Sequence, residues 1–464
     1  MSVQTQTLTR PVAARPGVAL ALILTCQLML MLDATVMNVA LPRIRADLGF
    51  TAANLSWVMN AYTLVFGGLL LLGGRLGDLF GRRRVFLTGV AVFIAASLAG
   101  GLADSAWLLI ASRVVQGIGA AMAGPSTIAL VTSTVTEPQA RVRALALFSA
   151  MASSGFAVGL ILGGFLTEWL TWRSVMFINV PLGLVVLVFG SRHIAEPPRH
   201  PARLDLVGAS LATVGVGSLV YGFIQVAENG WGASSALWPL VLGAVLVVAF
   251  VVSQTRVAHP MLPLRLFADR NRAAGYANFF LGPLSMMSAF FFMTQFLQEV
   301  SHYRALTTGF AFLPMAVGIF AMSRVVPRLL PTIGPKPVAL VGSLMIAAGL
   351  WWMSGLSADS TYFSAIFGPM VLMGIGGGLA FSPLNILIMG SVAPEDAGAA
   401  GGALQTMQQI GSTLGLAILV TVAGTASRGT TGTATVVSGA TAAFTVSAGI
   451  VLLTFLVALT FKRR

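Results

Sequence analysis

Fourteen apolar stretches, at about 17–41, 52–73, 84–103, 106–133, 143–167, 173–191, 204–226, 236–254, 273–297, 306–327, 337–357, 361–391, 400–424 and 438–460, follow one another down this 464-residue chain. A helix rises ~1.5 Å per residue, so each stretch is long enough to cross the ~30 Å hydrocarbon core of a bilayer. Lipid offers no hydrogen bonds, so each segment must satisfy its own backbone, as a helix does. The chain therefore reads as an all-α membrane protein with 14 transmembrane helices.

Composition agrees: 56% of the residues are hydrophobic and only 9% charged, which excludes an ordinary soluble domain. The net charge of +13 does not point to nucleic acid, because the basic residues are dispersed among short loops rather than gathered in a patch. An even number of spans puts both termini on one side. Of the 27 Lys and Arg, 21 fall in the loops and tails on that side, Arg43, Arg45, Arg173, Arg304 and Arg428 on the other, and Arg113 inside a span. This bias expects a multi-pass protein of the cell membrane with both termini cytoplasmic. The polar N-terminus is followed by an apolar run too long for a cleaved leader, so that run is expected to be a retained first span.

Enzymatic chemistry finds no footing. Cys26 is the only cysteine and lies in an apolar run, and the four histidines (His193, His200, His259, His302) fall in expected loops at unrelated spacings. The two lysines, Lys336 and Lys462, sit outside any phosphate-binding loop pattern. No catalytic, metal or cofactor site is expected.

An internal repeat appears at an offset of about 257 residues: the run from Gly117 to Ala123 is echoed from Gly374 to Ala380, and Gly81 is echoed by Gly334. The expected organisation is a tail over 1–16, a six-helix bundle over 17–192, an inserted helix pair with its flanking loop over 193–255, a second six-helix bundle over 256–461 and a basic tail over 462–464. Repeat-built transporters hold their substrate near the midplane, between the halves.

Certain residues stand out against this apolar background. Asp33 lies inside the first span, where an ionised carboxylate costs a few kcal/mol and is rarely accidental. Arg113 lies inside the fourth span, and both sit ~10–12 Å from the same membrane face by residue count. Gly155, Gly159 and Gly163 form a stripe along the fifth span, with Gly164 beside it, allowing a close helix neighbour. A charged segment from Gly74 to Arg84, with Arg75, Asp78, Gly81, Arg82 and Arg83, reads as a hairpin between the second and third spans.

That segment resembles the signature loop of the major facilitator superfamily. The run Ser112-Arg113-Val114-Val115-Gln116-Gly117 resembles the family's fourth-helix motif, whose arginine is tied to proton coupling. The glycine stripe resembles the antiporter motif, with Leu160 in place of its proline. The runs Trp172–Gly183, Leu204–Gly208 and Gln298–Val300 are similar to the fourteen-span drug:proton antiporters. The resemblance implies a major facilitator fold and a proton-coupled antiporter exporting small lipophilic compounds, cationic with one charge or neutral, such as drugs, antibiotics or toxic metabolites. Asp33 and Arg113 would couple protons and the Gly74–Arg84 segment would gate the cytoplasmic face. There Asp78 is expected to latch onto the helix beginning near Ala397, or onto Arg75 or Arg141. Candidate pocket residues are Asn38, Asn60, Gln116, Phe292, Gln295 and Asn385. The implied partners are the substrate, protons and the bilayer, with a proton gradient as energy source, no cofactor and no nucleic acid; a monomer suffices. Two alternatives stay open: a transporter of another cargo (nutrient uptake or lipid carriage), and a non-transporting sensor or membrane enzyme.

Overall fold

A computed structural model describes residues 16–135, 137–199, 204–257, 260–389, 392 and 397–461. The expected tails, apart from Pro16, and the turn at 394–396 lie outside the described residues. So do His200 and His259. The helices are α1 (Pro16–Leu48), α2 (Trp57–Phe80), α3 (Arg82–Gly101), α4 (Ala106–Thr134), α5 (Pro138–Trp169), α6 (Ser174–His193) and α7 (Leu206–Asn229). They continue with α8 (Ser234–Arg256), α9 (Arg270–Val300), α10 (Ala305–Ile333), α11 (Pro335–Met353), α12 (Tyr362–Met389), α13 (Ala397–Ala426) and α14 (Thr433–Leu459). Among the described residues thirteen helical segments are long and apolar enough to cross a membrane. The remaining helix, α5, is 32 residues long. The described residues contain no β-strand.

Two boundaries differ from expectation. The first helix does not stop near residue 41 but runs through Pro42 to Leu48, so Arg43 and Arg45 sit on its last turns. The charged segment is not a loop either. Its first half continues α2 as far as Phe80, and only Gly81, at φ +108°, separates α2 from α3. Glycines that read as chain breaks in a polar context are tolerated inside packed membrane helices, where they permit close approach.

Within the first half, α1 packs on α4, α5 and α6, while α4 packs on α2 and α3. The second half repeats this: α9 packs on α12, α13 and α14, and α12 packs on α10 and α11. Glycine pairs hold the equivalent crossings. Gly89 meets the backbone of Gly119, and Gly342 meets that of Gly376. The halves meet along two seams, α2 with α13 and α5 with α10. In the first, Thr413 Oγ1 donates to Thr63 Oγ1 at 2.8 Å. In the second, Gly164 lies against Ala305 and Gly309 against Leu160. The α7–α8 pair leans on the first seam through α7, where Thr421 Oγ1 donates to the Phe223 carbonyl at 2.5 Å and Gly424 lies against Ala227.

The halves are also tied across α1 and α9 at the far end, where those two helices finish. Arg45 Nη1 donates to both oxygens of Glu299 at 3.0 and 3.1 Å. Gln298 Nε2 donates to the Val39 carbonyl at 2.9 Å, and Arg304 reaches Glu168 at 3.4 Å. Asn38 Nδ2 donates to Thr294 Oγ1 at 2.9 Å and to the Phe290 carbonyl at 3.3 Å.

Candidate functional site

Asp33 and Arg113 come together in the interior of the first half, both 0% exposed. Arg113 Nη1 donates to Asp33 Oδ2 at 2.5 Å. The other carboxylate oxygen accepts from Asn179 Nδ2 at 2.9 Å and from Gln116 Nε2 at 3.2 Å. Arg113 also donates through Nε to the Val58 carbonyl at 2.9 Å and through Nη1 to Gln116 Oε1 at 2.8 Å. Its guanidinium carbon lies 4.4 Å from the centre of the Tyr62 ring, a cation–π contact. Gln116 passes the network on to Ser97 Oγ at 2.7 Å.

Five helices converge on this one group. Asp33 comes from α1, Val58 and Tyr62 from α2, Ser97 from α3, Arg113 and Gln116 from α4, and Asn179 from α6. Two ions out of water cost several kcal/mol each, so a pair at this depth persists only where hydrogen bonds fill the remaining valences. Here two do so for the carboxylate, from Asn179 and Gln116. Arg113 Nη2 and Asn179 Oδ1 are left without a partner in the described structure. Unused donors and acceptors next to an ion pair are where a changed protonation state or a bound molecule finds its new bonds.

The glycine stripe faces this helix. A Cβ on Gly155 would meet Met31 at 3.1 Å, and one on Gly163 would meet Val36 Cα at 2.8 Å, while Gly159 faces Thr35. All three therefore seat α5 on α1, the helix that carries Asp33; Gly164 instead faces Ala305 and Leu306 of α10. No proline lies inside α5, and Leu160, in the proline's place, is 1% exposed.

In the charged segment, Asp78 Oδ1 accepts from Arg82 Nη2 at 2.5 Å. In this arrangement the donor four residues along the chain takes the carboxylate, and Arg141 donates to the Val135 carbonyl; the turn leading into α13 lies outside the described residues. Gly74 lies against Pro125 of α4, and Gly77 against Arg82 and Ser126. Arg83 Nη1 donates to the Ile194 carbonyl at 3.1 Å. Glu196, which the sequence reading passed over, accepts from the backbone N–H of Arg83 at 2.9 Å and of Arg84 at 3.2 Å. Its carboxylate thus caps the start of α3 from the loop after α6, where the helix dipole favours an anion.

The pocket candidates scatter. Gln116 belongs to the charge network. Asn38 is spent on α9, as described above. Phe292 and Gln295 line a cleft at the far end between α9, α13 and α14, away from Asp33. Asn385 is exposed on α12, one residue out of phase with buried Leu384. Asn60 is 1% exposed, and both of its side-chain polar atoms lack partners. The reading missed Tyr62, Ser97 and Asn179. A polar group in an apolar helix was the available signal, and Asn179 carries it.

Comparisons with known proteins place this architecture. The model of the Major Facilitator Superfamily matches residues 23–416. The cephamycin export protein CmcT of Amycolatopsis lactamdurans is 44% identical over 416 residues, covering 89% of this chain and 86% of that protein. The puromycin resistance protein pur8 of Streptomyces alboniger is 39% identical over 453 residues, covering 95% and 90%. Among solved structures, the human organic anion transporter MFSD10 superposes with a TM-score of 0.60 at 16% identity, covering 95% of this chain and 96% of that one. That likeness shows the fold alone. The chain belongs to the Major Facilitator Superfamily, a family of membrane transporters, and its relatives include proteins named for antibiotic export and resistance.

Proposed function

We propose that this protein is a proton-coupled exporter of small lipophilic compounds, an antiporter of the cell membrane with both termini cytoplasmic and no cofactor. The observation that carries the reading is the Asp33–Arg113 pair, fully buried and fed by five helices. The far end, tied by Arg45–Glu299 and Asn38–Thr294, then faces outside, and the arrangement described is the one closed to the outside.

In this mechanism a proton from outside neutralises Asp33. The neutral carboxyl no longer holds the guanidinium, and Arg113 turns toward its other acceptors, the Val58 carbonyl and Gln116. Asn179 Oδ1, unused in the ionised state, takes the new O–H. With the halves already rocked open to the outside, loss of the pair loosens α1 from α4 and releases substrate there. Return of the proton to the cytoplasm restores the pair. The gradient supplies ~2.3 kcal/mol per charge per 100 mV, besides the pH difference. The buried, unpartnered amide of Asn60, close along α2 to the Thr63–Thr413 seam, is available to a polar group on the cargo. One embedded carboxylate suits neutral compounds or those with a single positive charge.

Purified protein in liposomes tests this. Uptake of a lipophilic drug into inside-out vesicles should follow an imposed pH gradient and collapse when a protonophore removes it. Uptake indifferent to the gradient refutes proton coupling; no movement of any lipophilic compound, with a sugar or peptide moved instead, refutes the cargo.

A further inference from the structure

A cleft of about 920 Å³ opens at the far end, in the size range of small-molecule sites. Its floor is apolar and aromatic, with Phe291, Phe292 and Ala440. Its rim is polar and holds Arg45, Glu228, Glu299 and Gln295. The charges do not cancel. Arg45 is committed to Glu299, through both carboxylate oxygens. Glu228 accepts from Thr51 Oγ1 at 2.9 Å and Asn54 Nδ2 at 2.7 Å, both on Oε1, and its charge meets no cation among the described residues. Gln295 is only 6% exposed and spends its Nε2 on a long contact of 3.5 Å to the Phe291 carbonyl.

We propose that this cleft is a second ligand site, for amphipathic organic molecules bearing one positive charge, and that its occupation slows export. A carboxylate without an ion-pair partner among the described residues, in a cleft also lined by two phenyl rings, matches an ammonium or delocalised cation on an aromatic body, which gains from both the charge and the rings. The cleft is lined by Thr51, Ala52 and Ala53 between α1 and α2 of the first half, and by α9, α13 and α14 of the second. An occupant therefore touches both halves and favours the arrangement closed at this end. A ligand that binds one arrangement better shifts the population toward it. The site thus reads the concentration of compound already outside.

The inhibitory role rests on the export reading above; the site itself does not, so binding and transport are measured separately. Ethidium, a lipophilic monocation, is titrated onto the full-length protein in nanodiscs by fluorescence anisotropy. Wild type and Asp33→Asn should both show the far-end site. Glu228→Gln should weaken it at least tenfold, and Ser427→Trp, which fills the cleft from its rim, should abolish it. In vesicles, ethidium on the far side should slow wild-type export and leave Glu228→Gln unaffected at the same concentration. Unchanged ethidium affinity and stoichiometry in both cleft variants would overturn the site. Weakened binding in them with no relief of inhibition would overturn its role. Loss of gradient-driven transport in every vesicle, with cleft binding intact, would count against the export reading alone.

Discussion

The buried ion pair makes a quantitative demand. In Asp33→Asn, Arg113 keeps its charge at 0% exposure with only neutral acceptors, the Val58 carbonyl and Gln116 Oε1. Stranding one partner of a buried pair costs ~3–5 kcal/mol. Arg113→Met strands the carboxylate instead, with Gln116 and Asn179 as its remaining donors, at a similar ~3–5 kcal/mol. The double variant strands no charge. Replacing a buried pair by neutral groups is often neutral or stabilising; Gln116 Oε1 keeps the new amide at position 33 beside it, and what remains is the unmet Val58 carbonyl, at ~1–3 kcal/mol. The double variant should thus be more stable than either single one, with a coupling of at least ~3 kcal/mol. Unfolding free energies in mixed micelles, followed by tryptophan fluorescence, measure the cycle. All three variants should fail to export under a pH gradient, so the double variant separates lost folding from lost coupling. Additive destabilisation would show that the two charges are not energetically paired, and gradient-driven efflux in any variant would remove the pair from proton coupling.

Two further outcomes follow from the geometry at the two ends of the molecule. Gly81→Ala places a side chain at φ +108° and its Cβ 2.8 Å from the Glu196 carboxyl carbon; it should destabilise the protein by ~1–3 kcal/mol, read in the same unfolding assay. Arg45→Ala removes a pair that is about one-third solvent-exposed and hence screened, worth ~1 kcal/mol or less. Spin labels at Ala52 and Thr433 should show a longer-distance population enriched no more than about fivefold, and high salt should act in the same direction.

Much of this architecture is written in the chain at coarse grain, because spanning a bilayer dictates helix length and apolarity directly. Asp33 and Arg113 were legible for the same reason: a charge in an apolar span is costly enough to stand out. Their supports were not. Tyr62 and Ser97 look like ordinary residues of a packed helix, Asn179 stands out only as a polar group without a visible target, and the convergence of α2, α3 and α6 gives the three a common one. Phe292 and Gln295 line a cleft at the far end rather than the space beside Asp33, a placement that a continuously apolar helix, which carries no phase, does not reveal. Asp78 is paired here with Arg82, one turn away past Gly81, a contact that the four-residue spacing in the sequence permits. Glu196 escaped notice because it lies 113 residues from Arg83, a separation across which sequence pattern carries no geometry.

The second half lacks this network at the equivalent place. Gly117 packs on the Tyr62 carbonyl and Gly374 on that of Met315, so the two crossings correspond. At the offset of about 257 residues, Phe290, Met370 and Met373 stand where Asp33, Arg113 and Gln116 do. Phe290, Met315, Met353, Met370 and Met373 enclose a small void there. Cross-linked hydrogen bonds fix angles and distances, whereas unbranched thioethers around a gap change rotamer at little cost. One half is accordingly stiff and the other compliant. In the rocking motion proposed above, elastic strain would collect on the methionine side, while the charged side would move as a block as long as its ion pair is intact.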